Sequence, residues 1–232
     1  MDITVHRFGT RMVNRYLVGG AQWILVDAGP PYVGAAILRR TLARLGILPG
    51  DIRLILLTHG HVDHAAAAAA AKLLTGAPVA IHRGDQLLLK EGRVVMPPMW
   101  STLGAVLRAL LVPIVACLRF PRVCPDIVLD GEGLRLDDFA LCGRWIHTPG
   151  HTQGSVSLLL DSGEAFVGDL LVASRDGGAT SKLLPAGDSR EQMLASVNRL
   201  LSAGATMIFP GHGPAFPAEH ARSVLVRGLE AG

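Results

Sequence analysis

The hydrophobic and polar positions of the chain alternate first with the period of strands and then with the period of helices. Three alternating segments, residues 3–8, 12–18 and 22–26, are separated by glycine-bearing turns and predict an antiparallel meander. The meander ends in Val26-Asp27-Ala28-Gly29. Asp27 could support a site at neighbouring strand ends, or it could cap the following helix, and both interpretations remain open at this point.

Helical and strand patterns alternate through the remainder of the chain. Apolar spacing predicts helices over 32–45, 65–74, 189–201 and 219–229, and strands over 52–57, 79–82, 139–146, 155–160, 165–171 and 207–209. Ser189 or Asp188 is the expected cap of the third of these helices. No internal repeat is evident. The pattern predicts a mixed α/β (α+β) protein.

Residues 94–120 form the least ordinary segment of the chain. Their apolar length approaches that of a membrane span, but Arg108 and Pro113 make a spanning helix an unfavourable interpretation. Ser101 is a suitable cap for a helix over 102–112. We expect this apolar helical insertion to be a lid over an active site; a partner surface, including a homodimer contact, and a membrane contact are the alternatives.

Composition narrows the class of protein. The 232 residues are half hydrophobic, which excludes general disorder, and their number allows one large domain or two small ones; we expect one domain over residues 1–232. The net charge of +3 comes from scattered cations without interleaved aromatic residues, so no nucleic-acid partner is expected. Three dispersed cysteines predict neither disulfides nor a thiolate metal cluster, and the N-terminus lacks a signal-peptide pattern. We therefore expect a cytoplasmic protein.

The chemistry is concentrated directly after the predicted strand 52–57. His59, His61, Asp63 and His64 fall within six residues there, between a buried-looking strand and a helix that starts near Asp63. Zinc and similar metals take imidazole and carboxylate ligands in clusters of this kind. This stretch therefore predicts a metal site.

Three further candidate ligands occur in the second half of the chain. His151 follows Thr148-Pro149-Gly150, Asp169 follows Gly168, and His212 lies between Gly211 and Gly213. Each comes at the end of a predicted strand, beside a glycine that lets the backbone turn sharply. Taken in order with the first cluster, they complete the predicted ligand set.

The combination resembles the metallo-β-lactamase superfamily, and within it the glyoxalase II-like hydrolases. The resemblance runs from the Asp27 turn to His212 and implies an αββα four-layer sandwich with a dinuclear metal site at one edge. It implies two divalent ions, with zinc the first expectation and iron or manganese as alternatives. Carried over by position, the first ion takes His59, His61 and His151, the second takes Asp63, His64 and His212, and Asp169 bridges them.

The resemblance also assigns roles around the two ions. Such a pair, with a bridging hydroxide, lowers the pKa of water from ~15.7 toward ~7 and polarises a carbonyl. Asp63 is the catalytic residue that would orient the hydroxide and take up a proton. Asp27 and Thr58 are expected to fix ligand orientation. His6, His82, His147 and His220 fall outside the pattern, and His82 is the least certain of them.

Departures from the family's subgroups narrow the expected substrate to a small molecule with a carbonyl ester, most of all a thioester. Asp169 argues against antibiotic hydrolysis, and no tyrosine follows Asp169 as it does in acyl-homoserine lactonases. The helical C-terminal domain of classical glyoxalase II is not expected in the twenty residues after His212. The alternatives are a lactonase or phosphodiesterase of the same superfamily, a mononuclear iron persulfide dioxygenase, and a catalytically weak binding protein.

Overall fold

The computed structural model describes residues 3–131, 136–139, 141–173 and 181–230, with the backbone alone for residues 227–230. Thirteen strands and seven helices alternate along these ranges. The strands are β1 Thr4–Gly9, β2 Asn14–Gly19, β3 Trp23–Val26, β4 Ile52–Leu56, β5 Val79–His82, β6 Ile127–Leu129, β7 Gly143–His147, β8 Val156–Leu160, β9 Glu164–Gly168, β10 Leu171–Ala173, β11 Ser181–Leu183, β12 Met207–Pro210 and β13 Phe216–Pro217. The helices are α1 Gly34–Leu45, α2 Val62–Ala65, α3 Ala68–Thr75, α4 Gln86–Glu91, α5 Thr102–Val115, α6 Arg190–Ser202 and α7 Glu219–Glu230.

Two mixed sheets form the centre of the fold. The first has the order β1-β2-β3-β4-β5-β6, in which the opening meander is antiparallel and the later pairs are parallel. The second has the order β13-β12-β9-β8-β7, and β9 and β12 are its parallel pair. A separate hairpin joins β10 to β11. The predicted meander is therefore confirmed.

Alternation along the strands places the two sheets face to face between two layers of helices. On the first sheet, Leu17 and Ile55 pack in one core with Leu38 of α1. Their neighbours Tyr16 and Leu54 turn the other way, into a core shared with Trp145, Leu158 and Phe166 of the second sheet. Because successive side chains of a strand point to opposite faces, each sheet buries both of its faces. The second sheet packs its outer face on α6 and α7. This arrangement confirms the αββα sandwich.

Several predicted boundaries are wrong for identifiable reasons. The segment 139–146 opens with a 3₁₀ turn at Asp137–Phe139, and its strand starts at Gly143; Ala140 lies outside the described residues. The segment 65–74 is not one continuous helix, because the helical conformation is interrupted at Ala67 between α2 and α3. The segment 165–171 is divided between β9 and β10 by the turn at Asp169. Short apolar runs do not reveal such interruptions.

Two predicted caps are present, and one predicted helix end is wrong. Ser101 accepts a hydrogen bond from the Gly104 N–H at the start of α5, and Ser189 accepts one from the Gln192 N–H at the start of α6. α5 continues through Pro113 to Val115 rather than ending before the proline. A proline within the last turn removes one backbone hydrogen bond, which a helix that ends two residues later can tolerate. Within the described residues, no helix is both long and apolar enough to cross a bilayer.

Candidate metal centre

The seven predicted ligands lie where strands of both sheets end. His59 and His61 occupy the turn after β4, and α2 begins there and carries Asp63 and His64 on its first turn. Asp169 directly follows β9, and His151 and His212 come shortly after β7 and β12. Since β9 and β12 are parallel, their carboxyl ends meet at the same edge of the sheet. The two sheets together therefore assemble the cluster.

The seven side chains form two groups, each able to hold a metal ion. The ligand atoms within each group lie within 4.8 Å of one another. The first metal group is His59, His61, His151 and Asp169, and the second metal group is Asp63, His64 and His212. All members of the first are buried, whereas Asp63 and His212 of the second are partly exposed. The accessible side of the centre is therefore the side of the second metal group.

Asp169 lies between the two groups and presents one carboxylate oxygen to each. Its Oδ1 is 3.1 Å from His64 Nε2 and 3.2 Å from His212 Nε2. Its Oδ2 is 3.4 Å from His151 Nε2 and 3.9 Å from His59 Nε2. One oxygen for each group is the arrangement that a carboxylate bridge between two cations requires.

The donor set fits metal ions better than it fits a hydrogen-bond network. His59 Nε2, His64 Nε2 and Asp169 Oδ1 are buried and make no hydrogen bond of normal geometry. Buried polar atoms without partners are costly, and a cation would satisfy all three. A side chain at Gly211 would also obstruct the centre, because a Cβ there would lie 2.6 Å from Asp169 Oδ1 and from His64 Cε1. The chemistry of nitrogen and oxygen donors suits zinc, iron or manganese.

Four of the five histidines hold their Nδ1 on an oxygen outside the centre, which directs Nε2 inward. These contacts are His59 with Thr58 Oγ1 at 3.1 Å, His64 with Asp27 Oδ2 at 2.7 Å, His151 with the Ala186 carbonyl at 2.9 Å, and His212 with the Met12 carbonyl. The fifth histidine, His61, turns its Nδ1 inward, 2.9 Å from His151 Nε2. Such outer hydrogen bonds fix the ring and the tautomer of a histidine that ligates metal.

Asp27 supports both metal groups and does not cap the next helix. It accepts hydrogen bonds from His64 and from the Thr58 hydroxyl, which in turn accepts one from His59 Nδ1. Val33 precedes α1 without a capping side chain, so the alternative that Asp27 is a helix cap is wrong. Asp27 also has a positive φ of 62°, which turns its side chain toward Thr58 and His64. One buried carboxylate thus orients one histidine of each group.

Electrostatics give the two groups different character. Burial, reinforced by the neighbouring histidines, lowers the pKa of His59 well below its usual value and the pKa of His61 to about 3. Burial also acts to lower the pKa of His64, but the charges of Asp169 and Asp27 outweigh it and hold that pKa well above normal. Burial would raise the pKa of Asp169, yet His64 and His212 keep it well below its usual range. His59 and His61 are therefore held as neutral imidazoles, whereas the surroundings of His64 favour its charged form.

Asp85 supports the centre, although no pattern in the sequence pointed to it. It is 3% exposed and joins the two histidine turns: its Oδ2 accepts from the Gly60 N–H and the Thr152 hydroxyl, each at 2.8 Å, and its Oδ1 accepts from the Gly154 N–H at 3.1 Å. Burial raises the pKa of Asp85, while these hydrogen bonds oppose the change. Its separation in sequence from every ligand hid this role.

Asp85→Ala is expected to weaken metal binding about 10–100-fold, the usual effect of removing a group that orients ligands. The change leaves the Gly60 and Gly154 N–H groups without their acceptor, so both histidine turns lose their common support. Competition with a chelator measures the affinity. Asp130→Ala, at an exposed ion pair with Arg83, is the matched control and should leave the affinity unchanged. Equal affinities of the two variants would show that Asp85 has no positioning role.

The four remaining histidines lie outside both metal groups. His82 is buried and stacks on His147, with ring centroids 4.1 Å apart, and its Nδ1 accepts from the Gly84 N–H. Burial together with His147 lowers the pKa of His82 to about 4. His6 packs on Trp23, and His220 on Phe216. The ring contacts of these four histidines are consistent with side chains that pack against their neighbours.

The apolar insertion touches the centre through its base. The backbone N–H of Trp100 donates to the Pro185 carbonyl, and its indole N–H donates to the Gly187 carbonyl at 3.1 Å. Met99 forms an isolated β-bridge with Ala186. The carbonyl of Ala186 in turn contacts His151 Nδ1. A cavity of about 400 Å³ lies beneath α5. It is lined by residues of α5, by Glu91 and residues 93–96, and by Ala116 and Arg119, and none of the seven ligands lines it. The geometry therefore gives the lid interpretation no support.

Comparison with known proteins agrees with this geometry. The sequence profile of the metallo-beta-lactamase superfamily matches residues 8–212. An uncharacterized protein of Mycobacterium tuberculosis is 30% identical over 223 residues, covering 92% of this chain and 91% of its own length. The Bacillus subtilis protein named "Probable metallo-hydrolase YflN" is 32% identical over 181 residues, 72% of this chain and 64% of its own length.

Solved structures show the same fold. The BLEG-1 B3 metallo-beta-lactamase superposes with a TM-score of 0.70 at 21% identity, over 96% of this chain and 97% of its own. TTHA1623, solved in a di-iron-bound form, superposes with a TM-score of 0.64 at 28% identity, over 95% of this chain and 98% of its own. The chain belongs to the metallo-β-lactamase superfamily, because it has the sandwich fold, two metal groups and a match to the family's sequence profile over most of its length.

Proposed function

We propose that the protein is a metal-dependent hydrolase that uses two divalent ions to cleave carbonyl esters, above all thioesters. The observation that carries this proposal is the pair of metal groups that share Asp169, one oxygen toward each. His59, His61 and His151 would hold one ion, and Asp63, His64 and His212 would hold the other. A superfamily whose relatives include metallo-hydrolases supports the reaction class.

Two ions bound in these groups would supply a nucleophile from water at neutral pH and polarise the substrate carbonyl. The residues of the chain do the remaining work. Asp27, Thr58 and the Ala186 carbonyl hold the imidazoles in place. Asp63, with a side chain 40% exposed and Oδ2 3.5 Å from His212 Nε2, is placed to accept a proton at the open side. The three cysteines are exposed and lie outside both groups, so no cysteine nucleophile is required.

Two observations favour a thioester over a lactam or an acyl-homoserine lactone. Asp169 occupies the bridging position that the resemblance assigns to hydrolases other than true zinc β-lactamases. The tyrosine expected of an acyl-homoserine lactonase has no counterpart, because Tyr16 is buried with its hydroxyl donating to the Pro210 carbonyl and Tyr32 is 90% exposed. A thioester is also the more electrophilic acyl compound, which suits a water-derived nucleophile.

Zinc is the proposed metal, and iron is the second candidate. Nitrogen and oxygen ligands accept both. The di-iron form of TTHA1623, 28% identical to this chain, supports iron in particular. A mononuclear iron dioxygenase would require one metal group, whereas this chain has two. The second group therefore favours hydrolysis over persulfide oxidation.

A substrate panel tests the proposal. The purified protein is stripped with a chelator, reloaded with zinc or ferrous ion, and assayed on matched thioester, oxygen ester, lactone and phosphodiester substrates. We expect hydrolysis to be lost on stripping and restored on reloading, with kcat/KM for the thioester at least about tenfold above the others, equivalent to about 1.4 kcal/mol of transition-state binding. Preference for the phosphodiester, or activity that persists without metal, would contradict the proposal.

A further inference from the structure

The outward face of α5 is an apolar stripe exposed to solvent. Leu103, Val106, Leu107, Leu110 and Ile114 follow helical spacing and are each at least half exposed. The helix contributes no buried residue to the protein core. Single exposed leucines are ordinary, but a continuous stripe over three turns is typical of a contact surface. We call these five residues the α5 stripe.

The protein holds the α5 stripe in a fixed position. Ser101 caps the helix, and the two Trp100 hydrogen bonds fix its base on residues 185–187. Beneath the helix, Arg108 turns inward and its Nε donates to the Met96 carbonyl at 3.0 Å. The side of α5 that faces the protein carries Arg108 together with the apolar Val112 and Val115, and the α5 stripe faces outward. A surface helix of a protein with no partner normally turns a polar face outward.

The segment of the chain that carries the stripe is basic. Between Gly92 and Pro125 the sequence contains four arginines, at 93, 108, 119 and 122, and neither aspartate nor glutamate. Arg119 and Arg122 are exposed, and within the described ranges no carboxylate lies at ion-pair distance from either. Arg93 pairs with Glu91, just outside this segment, at 3.4 Å. Apolar and cationic side chains without acids are the composition that binds anionic lipid surfaces.

We propose that α5 binds the surface of an anionic membrane, with the α5 stripe at the acyl boundary and Arg119 and Arg122 near the lipid phosphates. The helix has 14 residues, or about 21 Å, against roughly 30 Å for a hydrocarbon core, so it lies on the membrane rather than crossing it. The base on residues 185–187 then holds the metal centre close to the lipid. This contact is independent of the hydrolysis proposed above.

Charge disfavours a second copy of the chain as the occupant. Most homodimers are two-fold symmetric, so a dimer through the α5 stripe would face the same patch on both copies. Each copy would then present arginines and no acid to the facing segment, so the cations of one copy would find no carboxylate to pair with on the other. Anionic lipid phosphates provide the missing counter-charge.

Vesicle co-sedimentation of the metal-loaded protein tests the proposal. The probes are phosphatidylcholine vesicles with and without phosphatidylglycerol. The variant Leu103→Gln/Leu110→Gln removes stripe residues that are 80% and 68% exposed. The control Leu48→Gln/Leu73→Gln removes two leucines of similar exposure, 67% and 89%. Leu48 lies in the loop after α1, and Leu73 lies on α3. Metal content and thermal midpoint establish that both variants are folded.

We expect binding to the anionic vesicles, weaker binding to the neutral ones, and a partition coefficient at least about tenfold lower for the stripe variant alone. Absence of binding, or equal loss in both variants, would overturn the proposal. Equal binding to the two vesicle types would refute the role of the arginines. A wild-type dimer by light scattering that the stripe variant converts to a monomer, without vesicle binding, would assign the stripe to a second copy instead.

Discussion

Asp169→Ala is expected to abolish hydrolysis, by at least about a thousandfold in kcat, and to release at least one metal ion per chain. Among the described residues, this carboxylate alone presents an oxygen to both metal groups, so its loss would remove a ligand from each and leave two bound cations unscreened from each other. A loss of several kcal/mol of charge stabilisation corresponds to a rate effect of this size. Elemental analysis and an activity assay on one preparation provide the measurement.

Asp130→Ala is the matched control for this variant, because it removes an aspartate from an exposed ion pair. It should keep full activity and full metal content. Asp169→Asn is the finer comparison, since the amide fills the same space with a single acceptor oxygen and no charge. An Asp169→Ala protein that retained both metals and normal turnover would refute the bridge.

Asp63→Asn is expected to lower kcat about 100-fold or more while leaving the thermal midpoint nearly unchanged. The amide can still occupy the position beside His64 and His212, at 3.7 Å and 3.5 Å, but it cannot accept a proton. A positioned acid or base contributes typically 10²–10⁴-fold to a rate. Because the Asp63 side chain is 40% exposed, its removal exposes little new apolar surface. Turnover and melting are compared on the same sample.

Metal content separates a proton-transfer role of Asp63 from a purely structural one. A protein that keeps both ions and loses turnover supports the assigned role. A protein in which turnover, metal content and thermal midpoint fall together would make Asp63 a ligand that holds the site without taking part in proton transfer.

The ligand set was predictable because side chains that must converge on a metal follow strand ends and flank glycines. His59, His61, Asp169 and His212 are all of this kind, and the sandwich places their strands with the ligand-bearing ends at one edge. The resemblance then assigned each residue to a group, and the structure brings the same residues together.

The groups that orient the ligands were only partly predictable. Asp27 and Thr58 adjoin strand ends and were identified, but the choice between a helix cap and a site residue needed the contact with His64 at 2.7 Å. The carbonyls of Met12 and Ala186 hold histidines through backbone atoms, which have no signature in sequence. Asp85 directly precedes α4. This helix has six residues, which is too short for its periodicity to be recognised in the sequence.

The insertion shows a second limit of the sequence. Its apolar composition, its Ser101 cap and its lack of acids were all visible in the sequence. The side of α5 that faces the protein could not be read from the sequence, because apolar residues lie on every side of the helix and Arg108 is its one charged residue. The structure turns Arg108 inward and the leucines of the α5 stripe outward, and on this ground we propose a contact surface where the sequence analysis expected a lid.

The metal content of the wild-type protein tests the central claim most directly. Elemental analysis of the purified, metal-reloaded and dialysed chain, with the protein concentration measured independently, gives the number of ions per chain. Two metal groups that share Asp169 predict two ions per chain, of zinc or iron. A value that saturates at one ion, or at none, would contradict the dinuclear centre and the hydrolysis proposed from it.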